Sequence, residues 1–92
     1  MRITRRNIFY HELIGLRIRV LEHSDPSLVG VEGIIVDETL KTLVIETGDR
    51  RRKRVLKEYG VYEIRLPNRE KVIIRGAQIL GRPEDRLKNI VK

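Results

Sequence analysis

The side chains equipped for bond-breaking chemistry are few. Asp37 and Glu38 are adjacent carboxylates, the kind of pair with which a nuclease could hold magnesium. Neighbours on a strand point to opposite faces, however, and this pair opens a turn-forming stretch, Asp37-Glu38-Thr39-Leu40-Lys41. It is not read as catalytic. His11 and His23 are the only imidazoles. Two imidazoles complete a zinc site only with carboxylate help, and neither stands at the spacing of a nucleophile–base pair. There is no cysteine, which removes disulfides, thiolate metal sites and a cysteine nucleophile. Gly30-Val31-Glu32-Gly33 lacks the lysine and helix that follow a phosphate-cradling glycine loop. The expectation is a chain with no catalytic residue and no metal site of its own.

The positive charge is another matter. The sequence of 92 residues carries 20 Lys and Arg against 13 Asp and Glu, a formal net charge of +7. Residues 1–15 contribute +2, residues 16–49 contribute −4, and residues 50–92 contribute +9. Such asymmetry points to a surface that faces a polyanion. Fourteen of the cations are arginine, whose planar fork matches phosphate oxygens in pairs where lysine offers a point charge. The densest run is Arg50-Arg51-Arg52-Lys53-Arg54, with Lys57 close behind. Consecutive like charges repel unless something neutralises them, and phosphates would do so with strong salt dependence. Arg75, Arg82, Arg86 and Lys88 form a second basic group that could extend the same surface. The bland reading of both is a solvated tip with local pairs to Glu84 and Asp85. The aromatics are only Phe9, Tyr10, Tyr59 and Tyr62. Stacking on unpaired bases needs several exposed rings, so backbone and shape recognition of folded RNA fits better.

The elements that must hold these groups are short. Asn7–Ile14 reads as a two-turn helix, with Asn7 as N-cap and Gly15 as its stop. Its apolar residues surround much of the circumference, so one face can cover the core, and the other is left either to pack within the chain or to meet a protein partner. From Leu16 the period changes to two: Leu16, Ile18 and Val20 alternate with Arg17 and Arg19. Strands follow around Gly33–Val36, Thr42–Glu46, Val55-Leu56, Tyr62–Leu66 and Lys71–Arg75. They are separated by turns at Ser24–Ser27, Asp37–Lys41, Thr47–Asp49 and Pro67-Asn68. Tyr62 alternates with Ile64 and Leu66, which places it in the core. Pro83 suits the first position of a closing helix, with Glu84 and Asp85 in its first turn and Lys88 and Lys92 in its last. The expected architecture is mainly β: a small antiparallel barrel of about six strands with short N- and C-terminal helices. The chain reads as one domain over 1–92, with a helical segment at 1–15, the barrel at 16–80 and the last helix at 81–92. No apolar run approaches the ~18 residues of a membrane helix, and Arg2, Arg5 and Arg6 lead into no apolar signal core. A cytoplasmic location without membrane contact is expected.

Several stretches in order resemble a known family. They are His11-Glu12-Leu13-Ile14-Gly15-Leu16, Asp25 to Gly33, Asp37-Glu38-Thr39, Thr42-Leu43-Val44-Ile45 and Gly81-Arg82-Pro83-Glu84-Asp85-Arg86. Together they look like archaeal ribonuclease P protein component 1, a family related to a eukaryotic subunit shared by ribonuclease P and its mitochondrial-RNA-processing relative. The resemblance implies an Sm-like or SH3-like barrel. It also implies a non-catalytic, RNA-binding subunit of the particle that removes the 5′ leader from precursor tRNA. The RNA would carry the chemistry with magnesium, and this subunit would hold no cofactor. Partners would be the ribonuclease P RNA, a small zinc-ribbon subunit and, indirectly, precursor tRNA. From the two basic groups themselves, the expected RNA contacts are Arg50, Arg51, Arg52, Lys53, Arg54, Lys57, Arg75, Arg82, Arg86 and Lys88. Carried onto this chain from the resemblance, the protein contact would be Ile8, Phe9, Leu13 and Ile14 of the N-terminal helix, with an adjoining strand.

Three other readings compete. A ribosomal or translation-associated RNA-binding protein with an SH3-like barrel shares the Gly30-x-x-Gly33-x-Ile35 pattern. A peptide-binding barrel would need groove aromatics that are scarce here. An autonomous nuclease would cut precursor tRNA with magnesium and no RNA subunit.

Overall fold

A computed structural model describes residues 3–88, with side chains through Arg86. Six strands form one sheet: β1 (Arg17–His23), β2 (Glu32–Glu38), β3 (Thr42–Glu46), β4 (Arg52–Leu56), β5 (Gly60–Arg65) and β6 (Lys71–Arg75). Their order is β4-β3-β2-β1-β5-β6, and every neighbouring pair is antiparallel. One helix, α1, is described over Pro83–Lys88, with Pro83 at its first position as expected.

The period-two pattern decides which way each strand faces. Ile18 and Val20 on β1, Ile35 on β2, Leu43 and Ile45 on β3, Val55 on β4, Tyr62 and Ile64 on β5 and Ile74 on β6 point into one core. Leu16, Leu28, Leu66 and Ile79 close it from the connections. Bulges between Val20 and Glu22 and between Ile35 and Asp37 bend the sheet. Gly33 permits the tightest approach within it, because a Cβ there would overlap the Glu46 carbonyl.

The outer strands do not pair with each other in the ladder, yet their continuations meet. After β4 the chain makes a 3-10 turn, Lys57–Tyr59, and after β6 another, Gly76–Ile79. Gly76 lies so close to the Lys57 carbonyl that a Cβ would overlap it. The end of β4 and the end of β6 lie at opposite ends of the register. Bringing them together requires the tilt of a small, partly open barrel.

The N-terminal segment departs from expectation. The helix anticipated over Asn7–Ile14 is a single 3-10 turn, Ile8–Tyr10, and Asn7 does not cap it with its side chain. Asn7 Oδ1 instead accepts from the Thr4 N–H at 2.7 Å. Tertiary partners take the groups a helix would have used. In a helix the Phe9 carbonyl would accept from the Leu13 N–H. Here Arg86 Nε donates to the Phe9 carbonyl at 2.7 Å, while the Leu13 N–H donates to Glu38 at 3.3 Å. A two-turn helix has too little stability of its own to resist that exchange.

Candidate nucleic-acid interface

The β3–β4 hairpin presents the basic run. Its turn is closed by the Thr47 N–H to the Arg51 carbonyl at 2.8 Å and the Arg50 N–H to the Thr47 carbonyl at 2.9 Å. Asp49 braces the tip: the Thr47 hydroxyl donates to its carboxylate and, with weaker help from Arg51, holds its pKa below the usual carboxylate range. Arg50 sits in the left-handed region at φ 64°, where glycine or asparagine is usual. All of Arg50, Arg51, Arg52, Lys53 and Arg54 are exposed. Arg51 pairs with Asp49 at 3.2 Å and Arg52 with Glu46 at 3.3 Å. Arg50, Lys53 and Arg54 have no ion pair among the described residues. Strand alternation splits the run. Arg52 and Arg54 share the outer face with Glu46 and Val44, where they line a shallow groove with Asp37, whereas Lys53 is opposite Ile45.

The second basic group does not assemble as anticipated. Arg75 and Arg82 are exposed but line separate grooves, Arg75 beside His23, Tyr59 and Ala77, Arg82 beside Glu12, Ile14 and Pro83. The side chain of Lys88 lies outside the described residues. Lys57 and Arg86 are not RNA-facing at all: their exposures are 0% and 3%. Both converge on Glu38, which is equally buried. Lys57 Nζ is 2.7 Å from Glu38 Oε2, and Arg86 Nη1 is 2.5 Å from the same oxygen. Backbone carbonyls absorb the remaining donors. Lys57 donates to Thr39 and Gly81, and Arg86 to Phe9, His11, Ile79 and Gly81. Two cations thus share one carboxylate in the interior. Burial pushes the Lys57 ammonium below the ordinary lysine range, Glu38 opposes that shift, and Arg86 adds to it.

The sequence held a clue to this site. Val55 and Lys57 are two apart, so they share the inward direction, and grouping Lys57 with the preceding basic run hid that period. Glu38 also leaves the nuclease pair it seemed to form with Asp37. Asp37 is exposed, while Glu38 is the anion that joins the N-terminal segment, the end of β4 and α1.

The proposed protein contact is likewise divided. Ile8 and Leu13 have no exposure and belong to the core, because the chain packs them inward instead of presenting a helix face. Phe9 is half-buried against that core, and Ile14 is exposed at 42%. Ile14 lines the groove with Glu12, Arg82, Pro83 and Glu84. Tyr62 is core, as its alternation indicates. Its hydroxyl donates toward the Leu56 and Lys57 carbonyls at 2.9 and 3.0 Å, and burial raises its pKa. Arg17, Arg65 and Lys71 carry no role in the sequence reading, yet register sets them side by side.

These features define a class: a small cationic protein built on one curved, six-stranded antiparallel sheet, with its free charge on hairpins and strand faces. Comparison with known proteins gives the particular lineage. The family model described as ribonuclease P/MRP, subunit p29, matches residues 6–89. Ribonuclease P protein component 1 of Staphylothermus marinus is 71% identical over 92 residues, covering all of both chains. The same component of Desulfurococcus amylolyticus is 58% identical over 90 residues, covering 98% of each. Among solved structures, Mth11, described as a homologue of human RNase P protein Rpp29, is 42% identical. It superposes with a TM-score of 0.61, covering 83% of this chain and 97% of its own. The chain belongs to the ribonuclease P/MRP p29 family, the archaeal protein component 1 of ribonuclease P.

Proposed function

We propose that this subunit binds the RNA of ribonuclease P and favours its compact, active fold, thereby supporting removal of the 5′ leader from precursor tRNA. The observation that carries the reading is the β3–β4 hairpin, where Arg50, Lys53 and Arg54 project without an ion pair among the described residues. Cations with no acid partner stay available for phosphate oxygens. Three such contacts correspond to a salt slope of roughly −2 to −3 in log K against log salt. A protein that binds only the folded RNA stabilises that fold by mass action.

In this reading the subunit itself breaks no bond. The RNA, with magnesium, carries the reaction, and the work belongs in the cytoplasm. A zinc-ribbon protein subunit docks at the groove of Glu12, Ile14, Arg82, Pro83 and Glu84, beside half-buried Phe9. Precursor tRNA is met through the assembled particle.

Reconstitution tests the proposal. The RNA and the other protein subunits are assembled with or without this chain, and leader removal and RNA compaction are followed against magnesium. Its addition lowers the magnesium needed for both. Equal curves with and without it, or cleavage by the chain alone with magnesium, would refute the proposal.

A further inference from the structure

We propose a second polyanion contact on the outer face of β1, β5 and β6, built on Arg17, Arg65 and Lys71, which grips a second stretch of RNA phosphate backbone. It rests on the RNA-binding reading above and adds a separate site to it.

Register carries the argument. Arg17 is directly opposite Arg65, and Arg65 directly opposite Lys71, so three cations on three adjacent strands form one cross-strand row. Directly opposed residues lie about 5 Å apart at Cα, and like charges in that position destabilise a sheet. All three are exposed. Lys71 reaches Glu63 only at 3.9 Å, and Arg17 and Arg65 have no ion pair among the described residues.

The next row on the same face is an internal control. Two residues along β1, Arg19 stands between Glu32 on β2 and Glu63 on β5. There the register alternates sign, as a sheet selected for stability does. One row compensates its charge and its neighbour concentrates it. A merely solvated face gives no reason for that contrast.

The flanks add to the concentration. Arg69 occupies the tip of the β5–β6 turn at φ 72°, a left-handed position that a glycine would hold at less cost. Arg5 approaches the Lys71 carbonyl, although its charge is met by Glu70 at 2.6 Å. Segment arithmetic conceals the site, because Arg17 belongs to the acidic stretch and reaches basic neighbours only through strand pairing.

The site is distinct from the hairpin. β3 and β2 separate β4 from β1, a span of about 14 Å along the sheet. On the Arg17 register row, exposed Ile34 on β2 and acidic Glu46 on β3 lie between Arg17 and the hairpin's Arg52. Two cationic sites separated by two strands of one sheet can hold two RNA segments that would otherwise repel.

The test uses the full chain and purified ribonuclease P RNA. Affinity is measured against salt for Arg17→Gln/Arg65→Gln, for Arg50→Gln/Lys53→Gln/Arg54→Gln, and for the two sets combined. The melting temperature of each free protein is recorded. The Arg17/Arg65 variant should flatten the slope by about 1.4–1.8, with a melting temperature unchanged or raised because a repulsive pair is gone. The two sets should flatten the slope additively, and Arg17→Lys should retain it. An unchanged slope, or a lowered melting temperature, overturns the proposal. The row would also fail as an RNA site if its variants bound RNA normally but failed to enter the reconstituted particle, since the partner would then be an acidic protein surface. Loss of slope in the hairpin variant alone sinks only this second site, whereas no loss in either sinks RNA binding by these cations altogether.

Discussion

Replacing Glu38 with glutamine should be among the most damaging single-atom changes available to this protein. Among the described residues Glu38 is the sole carboxylate contacting Lys57 and Arg86, and all three side chains are buried. The wild-type cluster carries two positive charges and one negative. Glu38→Gln leaves two cations and no anion in the same space. Removing one partner of a buried ion pair costs about 3–5 kcal/mol. A chain of this size has a total stability of roughly 5–14 kcal/mol, at ~0.05–0.15 kcal/mol per residue. At ~4–8 °C per kcal/mol, the melting temperature should fall by roughly 12–40 °C.

Lys57→Met is the discriminating comparison. It leaves Glu38 and Arg86 as a balanced pair. Gly81 keeps its bond from Arg86, so the Thr39 carbonyl is the acceptor that loses the ammonium. The expected cost is about 1–2 kcal/mol. Urea unfolding at constant m gives both values. A loss for Glu38→Gln no greater than that for Lys57→Met would refute the role of Glu38 as the anion that neutralises both cations. Lys57 also predicts a pH dependence. Its folded pKa is below the unfolded value, so below the folded pKa both states hold the proton and the burial cost is complete. As pH rises from the folded pKa toward 10.5, the folded state releases its proton first while the unfolded state retains it. This site's contribution to stability therefore rises with pH in that window, and the rise should vanish in Lys57→Met.

Two further changes test the frame and the tip. Gly76→Ala places a methyl into the Lys57 carbonyl and should cost at least about 1–3 kcal/mol by urea unfolding. Gly48→Ala, where a Cβ meets open space, should be near neutral, and equal effects would show that the two ends are not packed together. Arg50→Gly should relieve a left-handed backbone by up to about 1 kcal/mol while flattening the salt slope of RNA binding by about 0.7–0.9. A drop in stability would mean that the arginine serves the fold.

The strands and core were legible because the inward residues repeat at a period of two through each strand, and the bends coincide with turn residues. Pro26 opens its 3-10 turn and Pro83 opens α1 as their types require. The N-terminal segment departs from a helix because its outcome depends on Arg86, 77 residues from Phe9, competing for a carbonyl. Local propensity carries no trace of that competitor. Charge was misassigned for a related reason. A run of basic residues is a statement about the chain, whereas exposure and pairing are statements about the fold. Strand alternation sent Lys57 inward, turned Lys53 from its neighbours, and gathered Arg17 with Arg65 and Lys71 from distant parts of the sequence.

The interior cations and the surface cations therefore answer to different constraints. Lys57 and Arg86 are held by Glu38 and by carbonyls of the N-terminal segment, the Thr39 turn and the approach to α1. Their cluster fastens both ends of the chain to the sheet. It thereby forms the groove in which Ile14, Arg82 and Pro83 come together. Lys53 and Arg54 on the hairpin have no comparable tie: both are exposed and make no ion pair among the described residues, so their loss should change what the protein binds while leaving the fold intact. Separating the two groups by stability against RNA affinity is the physical meaning of dividing this chain's cations into those that build the molecule and those that face the RNA.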